Sequence, residues 1–258
     1  RSLGKPKFED IKCQVGMAMS EPFYAWIEKF FDGIADRKNG AIVAADFYYN
    51  ERARREFTNA MIKELSFPKL DANDKNAAYM TVALAVEDIV FKKGEGAKLA
   101  QQSGMKAQKL WTACNFRFSL DGFEQACKRV TKIDAFTIKQ QVIEYHQGGF
   151  RAPTKTPSQI DFPNIVFYVP EADAQPFMQR FTERGIKGNV RGHAAQKAGM
   201  IQTFDQEKRP LFTLEFYEAD ILNVAPEKLD AGGEEIKLVK IELFTEKMKF
   251  SYPAMAVE

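Results

Sequence analysis

Histidine is nearly absent: His146 and His193 are the only two in the chain. That scarcity excludes a histidine-rich metal centre, and each is read as a surface or hydrogen-bonded side chain rather than a ligand or general base. Cysteine is as sparse. Cys13, Cys114 and Cys127 are odd in number and show no paired spacing, so reduced thiols are expected in place of a disulfide framework. Cys114 and Cys127 brought together across strands, with His146 as base, would make a thiol nucleophile; a small buried hydrophobe is the expected role instead. No run of about eighteen apolar residues occurs that would make a membrane-spanning helix. A dominant sign of charge is missing too. The chain has 37 Lys and Arg against 35 Asp and Glu, so its overall field gives no pull toward nucleic acid. There is no Gly-rich phosphate loop with a lysine, no serine nucleophile elbow and no His-Glu-x-x-His helix. The carboxylate pairs Glu171 with Asp173 and Glu234 with Glu235 fall in turn-like segments where capping or solvation accounts for them. No catalytic residue, cofactor site or metal site is therefore expected.

What the chain does contain is a repeat. Lys69-Leu70-Asp71-Ala72-Asn73 and the alternating run to Phe91 return, without a gap, as Lys228-Leu229-Asp230-Ala231-Gly232 and a run to Phe250. Upstream, Phe8-Glu9-Asp10-Ile11 answers to Phe162-Pro163-Asn164-Ile165, and Pro22-Phe23 to Pro176-Phe177 at the same offset. The fold is read as duplicated: a first domain over residues 1–95, a linker rich in Gly, Lys, Gln and Ala over 96–110, and a second domain over 111–258. The second copy has a long stretch from Asn115 to its Phe162 block, whereas the first has only Arg1 to Lys7 ahead of Phe8. The opening strands of the first domain are missing on this reading, and the start at Arg1 suggests the remainder of a longer precursor. A sheet edge left open there would invite aggregation unless another chain covered it.

Periodicity sketches the elements. A strand over about Phe8 to Val15 precedes a helix launched by Ser20, with Glu21 and Pro22 in its first turn. Phe23, Trp26, Ile27, Phe30 and Ile34 form one helical stripe, read as core packing against a sheet rather than a cofactor pocket. Asn39-Gly40 marks a turn before a strand from Ala41 to Tyr49. Phe57 to Leu65 and Tyr79 to Phe91 then read as paired strands, the latter with Met80, Val82, Leu84 and Val86 on one face. In the second copy, strands are read over Asn115 to Leu120, Val130 to Phe136 and Lys139 to His146. The segment from Gly148 through Pro157, with Gly149, Arg151 and Lys155, suits an extended arm. Asp173 is placed to cap a second helix with Phe177 and Phe181 on its buried side. A hairpin follows over Met200 to Phe204 and Leu211 to Ala219. The closing strand runs from Lys237 to Phe250, with a bulge or two-sided burial at Phe244. The densest basic run, Arg52-Ala53-Arg54-Arg55, is read first as a solvated hairpin tip, next as a source of inter-subunit salt bridges and last as a nucleic-acid contact.

Several motifs of the second copy carry a resemblance: Asn115-Phe116-Arg117-Phe118 with Asp121-Gly122, Val142-Ile143-Glu144-Tyr145-His146-Gln147-Gly148-Gly149, and Phe162-Pro163-Asn164-Ile165. With Leu229-Asp230-Ala231-Gly232-Gly233-Glu234, and Leu3 to Ile11 in the first copy, the chain resembles the tail-tube proteins of contractile phages and related contractile injection systems. Val169-Pro170-Glu171 departs from that family's Gly-rich basic strand ending, and tandem fusion departs from its single-domain arrangement. The resemblance implies a mainly β protein of two tandem antiparallel barrel or sandwich domains, each with one flanking helix. It also implies a structural subunit that self-associates into rings around a central channel, as a pseudo-hexameric trimer or a hexamer. Neighbouring tube, baseplate or spike proteins would be its partners, and nucleic acid at most lumen cargo. The expected location is a virion or injection-machine tail, assembled in the bacterial cytoplasm. Gly148, Gly149, Arg151, Lys155, Arg52, Arg54 and Arg55 are the candidate oligomer contacts. The rival readings are a monomeric β-barrel that binds a small ligand or glycan, and an enzyme using cysteine or carboxylate chemistry.

Overall fold

The β-branched and aromatic alternation of the sequence resolves into strands in a computed structural model that describes residues 8–16, 20–99, 111–145, 154–186, 197–227 and 237–253. β1 (Ile11–Val15) leads to α1 (Glu21–Phe31). Ser20 holds extended backbone ahead of α1 without a side-chain cap bond, and Pro22 pre-sets the first turn. Trp26, Ile27 and Phe30 are buried as the stripe requires, while Ile34 falls beyond the helix and is 54% exposed. Tyr24 and Phe31 are buried as well, so the apolar face is wider than one stripe. β2 (Lys38–Ala45) runs straight through Asn39-Gly40, where a turn was expected. Gly40 is a packing residue there: a Cβ would lie 2.6 Å from the Phe57 ring. β3 (Glu51–Phe67), β4 (Leu70–Asp71), β5 (Met80–Ala85) and β6 (Asp88–Lys93) follow. Met80, Val82, Leu84 and Val86 are all buried, but the strand expected to continue to Phe91 breaks after them, and β6 pairs with a different stretch of β3.

The later residues give β7 (Phe116–Leu120), β8 (Lys132–Ile133), β9 (Phe136–Tyr145), β10 (Thr154–Asp161) and β11 (Ile165–Pro170). α2 (Gln175–Ile186), β12 (Lys197–Phe204), β13 (Pro210–Pro226), β14 (Leu238–Phe244) and β15 (Lys247–Ser251) complete the order. The arm expected to lack packed structure is β10 from Thr154 onward, pairing Pro157 with Val142. Pro157 fits because β10 ends its sheet, so its missing N–H interrupts no second ladder. Asp173 does not cap α2; Arg129 captures its carboxylate through bonds of 2.8 and 2.7 Å. Phe177 is buried as expected, but Phe181 is 39% exposed. The failed alternation at Phe244 marks the end of β14 rather than a bulge in one strand.

The fold is mainly β and antiparallel, and its pairings occur twice in one register. Ile11 pairs with Leu84 as Ile165 pairs with Leu243. Gly40 pairs with Phe57 as Gly199 pairs with Phe216, and Thr58 with Asp88 as Tyr217 with Lys247. Both long strands skip a residue in their next pairing, between Ile62 and Glu64 and between Ile221 and Asn223. Each also carries one left-handed residue midway, Asn59 at φ 51° and Glu218 at φ 52°. One sheet runs β1-β5-β3-β9-β10 with β2 and β6 also on β3; the other runs β4-β8-β11-β14-β13-β12-β7 with β15 on β13. A single apolar cluster spans both, from Tyr24 and Leu65 to Phe212 and Phe250.

Candidate functional site

Strands from the later half of the chain complete the sheet of the earlier half. β9 lies antiparallel on the end of β3, pairing Phe136 with Phe67, Thr137 with Ser66, Ile138 with Leu65 and Lys139 with Glu64. Without β9 this end of β3 would offer a row of unpaired backbone groups on that side. Side chains reinforce the joint: the Phe67 and Phe136 rings stack at 5.0 Å, and the Ser66 and Thr137 hydroxyls meet at 2.9 Å. β4 lies on β8 in the same way, with Leu70 opposite Ile133.

Helix α1 closes the joint from outside the sheet. Tyr24 and Phe31 stack on Phe250 of β15 at 6.2 and 5.7 Å, and Tyr24 also stacks on Tyr252 at 5.1 Å. Burial at this contact pushes the Tyr24 phenol up to about 12, so it stays neutral. Each fully buried large side chain contributes roughly 1.5–3 kcal/mol. Leu65, Phe67, Phe31, Phe212 and Phe250 are each at most 6% exposed, so the joint has the character of a domain core rather than a surface contact.

The matching edges elsewhere are uncovered. Asn223–Pro226 of β13 corresponds to Glu64–Phe67 of β3, yet among the described residues it pairs with β14 alone. β12 lies between β13 and β7, whereas β2 pairs only with β3 among the described residues.

Of the residues expected to make oligomer contacts, Arg52, Arg54 and Arg55 lie away from this joint. Arg52 Nε donates to Asp46 at 2.9 Å, Arg54 grips Glu51 with bonds of 2.8 and 2.9 Å, and the Arg55 guanidinium sits 5.0 Å over the Phe91 ring. The basic run is thus held locally where β3 begins. Lys155 lies in β10 opposite Glu144. Gly148, Gly149 and Arg151 fall outside the described residues, as do His146, His193, Glu234 and Glu235. Sequence reasoning missed Tyr24 and Phe31, whose signal was their seven-residue spacing beside the stripe. It also missed Phe136, because pairing between distant strands leaves no local pattern.

Chemistry finds little foothold. Burial pushes the Cys127 thiol up to about 12 and raises Cys13 too, which disfavours a reactive thiolate at either. Among the described residues no group of three His, Cys, Asp or Glu side chains is placed to hold a metal ion. No described helix is long and apolar enough to cross a membrane. An interior cleft lined by Phe67, Trp111 and Phe212, and another beside Trp26 and Gln140, each hold about 10 Å³, room for at most one water.

The profile of the family described as T4-like virus tail tube protein gp19 matches residues 1–90 and 112–249. The chain belongs to this family. No curated protein matches the sequence. Among solved structures, this tail-tube-family chain is similar to a chain of the anti-feeding prophage baseplate, with 16% identity and a TM-score of 0.39 over 54% of this chain and 93% of that one. It is also similar to a chain of the PVC sheath–tube complex, an extracellular contractile injection system in its extended state. The figures there are 16% identity, a TM-score of 0.40, and coverage of 54% and 89%. The anti-feeding prophage tube-terminating cap gives 18%, 0.42, 62% and 98%. The tail-tube family is named for a structural part of a virus tail, in agreement with the structural role expected from the sequence.

Proposed function

We propose that this chain is a tandem pair of tail-tube-like domains, residues 1–95 and 111–258 joined by 96–110, and that it builds a ring around a central channel. The observation that carries the reading is the internal joint: β9 completes the sheet of β3, while no described strand pairs on the corresponding edge of β13. A second copy of the internal joint without a described partner suits head-to-tail association, and such contacts close into rings when the rotation allows. The halves meet side by side within one sheet, which favours three chains in a pseudo-sixfold ring over six chains spanning two layers. Neighbouring tube, baseplate or spike proteins would stack on its faces. Gly148, Gly149, Arg151 and Lys155, on or beside the β9–β10 connection, would reach the adjacent subunit or ring. Arg52, Arg54 and Arg55 would add polar contacts where β3 begins, between β2 and β6. Assembly would take place in the bacterial cytoplasm, within a virion or injection-machine tail. A monomeric ligand barrel is disfavoured by clefts of about 10 Å³.

Mass measurement across a concentration series, followed by negative-stain imaging, tests the reading. Rings with a central hole and the mass of three chains are expected. A particle that stays at 29.3 kDa at every concentration overturns it.

A further inference from the structure

The contact that α1 makes inside the chain has an unfilled counterpart on the chain's surface. α1 and α2 correspond through Pro22-Phe23 and Pro176-Phe177, which puts Met178 at the position of Tyr24 and Phe181 at that of Ile27. β6 and β15 correspond through their pairings with β3 and β13, which puts Phe91 at the position of Phe250. Tyr24, Ile27 and Phe250 are 6%, 0% and 3% exposed. Met178, Phe181 and Phe91 are 48%, 39% and 71% exposed. A solvated surface has no need of large apolar side chains at three corresponding positions.

The orientation of α2 is fixed by its own half. Arg180 donates to Asp220 with bonds of 3.1 Å, and Arg184 donates to the Ile221 carbonyl at 2.7 Å. These bonds anchor the Phe177 face of the helix on β13; Phe181 lies at the margin of that face and Met178 beyond it, both partly exposed. At the other end of the chain, Arg55 stacks on the Phe91 ring at 5.0 Å and holds it in place.

We propose that a second copy of this chain docks here, with Met178 and Phe181 of one protomer packing on Phe91 of the next. The contact repeats between chains what Tyr24 does to Phe250 within one, with Phe181 beside Met178 and Gly185 standing at the position of Phe31. It rests on the ring reading above and names the surfaces that close the ring. The two surfaces differ, so the contact is heterologous: every protomer offers one α2 face and one β6 face.

Two variants test it, Phe91→Glu and Phe181→Glu, each compared with the unmodified chain by mass measurement at the concentration where the latter forms rings. Each variant alone is expected at the single-chain mass of 29.3 kDa, with unchanged circular dichroism. Mixed in equal amounts, the two retain one intact α2 face and one intact β6 face between them. They are expected to form a one-to-one dimer and no ring. Should Phe181→Glu melt early, Met178→Lys takes its place in the same mixture. Rings from either variant alone, or no dimer from the mixture, overturn this interface while leaving the ring reading intact. An unmodified chain that never assembles overturns both.

Discussion

Blade β2-β3-β6 and blade β12-β13-β15 share their pairings residue for residue, yet one meets solvent and the other forms part of the core. Ala53 and Arg55 are exposed where Phe212 and Leu214 are each 1% exposed. Phe57 is half-buried where Phe216 is fully buried. The turns repeat the pattern. Asp46 and Asp205 each accept two backbone N–H bonds of 2.9 Å, from Tyr48 and Asn50 and from Glu207 and Arg209. The first turn carries Phe47, 90% exposed, and Tyr48, 73% exposed, where the second carries Gln206 and Glu207. Local devices such as the aspartate clamp and the left-handed Tyr49 and Lys208 therefore fix the backbone without help from burial. Burial is decided by what lies against the blade. Helix α1 and β7 cover the second, and no described element covers the first in the same way.

The comparison breaks most visibly at the paired phenylalanines. Phe216→Ala is expected to cost about 3–5 kcal/mol in denaturant unfolding, whereas Phe57→Ala costs about 1–2 kcal/mol because part of its surface stays wet. An equal loss at both would mean the first blade is as tightly packed as the second. The glycines beneath those rings come next. A Cβ on Gly199 meets the Phe216 ring at 2.4 Å and the Ser119 backbone oxygen at 2.5 Å, while on Gly40 it meets only the Phe57 ring. Gly199→Ala is therefore expected to destabilise by about 1–3 kcal/mol, and Gly40→Ala to stay near the low end because its ring can swing aside. Melting curves of the two variants decide this.

At the turns, Asp205 is 2% exposed, and Asp205→Ala removes the acceptor of the Glu207 and Arg209 backbone N–H groups at an expected cost of about 1 kcal/mol or more. Asp46→Ala should cost less. The smallest effect is one of pH. The Asn50 backbone N–H, with the Asn50 and Arg52 side chains and the Tyr48 N–H, holds the Asp46 carboxyl down to about 2. A depressed carboxyl stabilises the turn fully above its unfolded value of about 3.9 and loses that contribution as pH falls toward 2. Protection of the Tyr48 and Asn50 amides, taken relative to their intrinsic exchange at each pH, should fall over that interval and stay constant above it.

Much of this was readable in the chain because repetition and periodicity are local. The Phe8 and Phe162 blocks lead into β1 and β11, which pair with β5 and β14 in one register, the Trp26-Ile27-Phe30 stripe located α1, and Met80-Val82-Leu84 located the buried face of β5. The misses share a cause: each depended on a distant partner. Asn39-Gly40 looks like a turn until the Phe57 ring is laid over it, and Asp173 looks like a cap until Arg129 takes its carboxylate. Phe181 follows the helical period that would bury it, but it stays 39% exposed. The joint between β3 and β9 joins Leu65 to Ile138, a separation that no window of residues can sense.

Asn59 and Glu218 sit at the elbows of the two longest strands, where each leaves one set of neighbours for another. Neither is glycine, so few other backbone angles are open to them in that strained region and the bend is stiff. Whatever grips the blade beyond the elbow therefore pushes directly on the body behind it, with little slack to absorb the load. A part that must hold its shape while force passes through it is well served by such a bend.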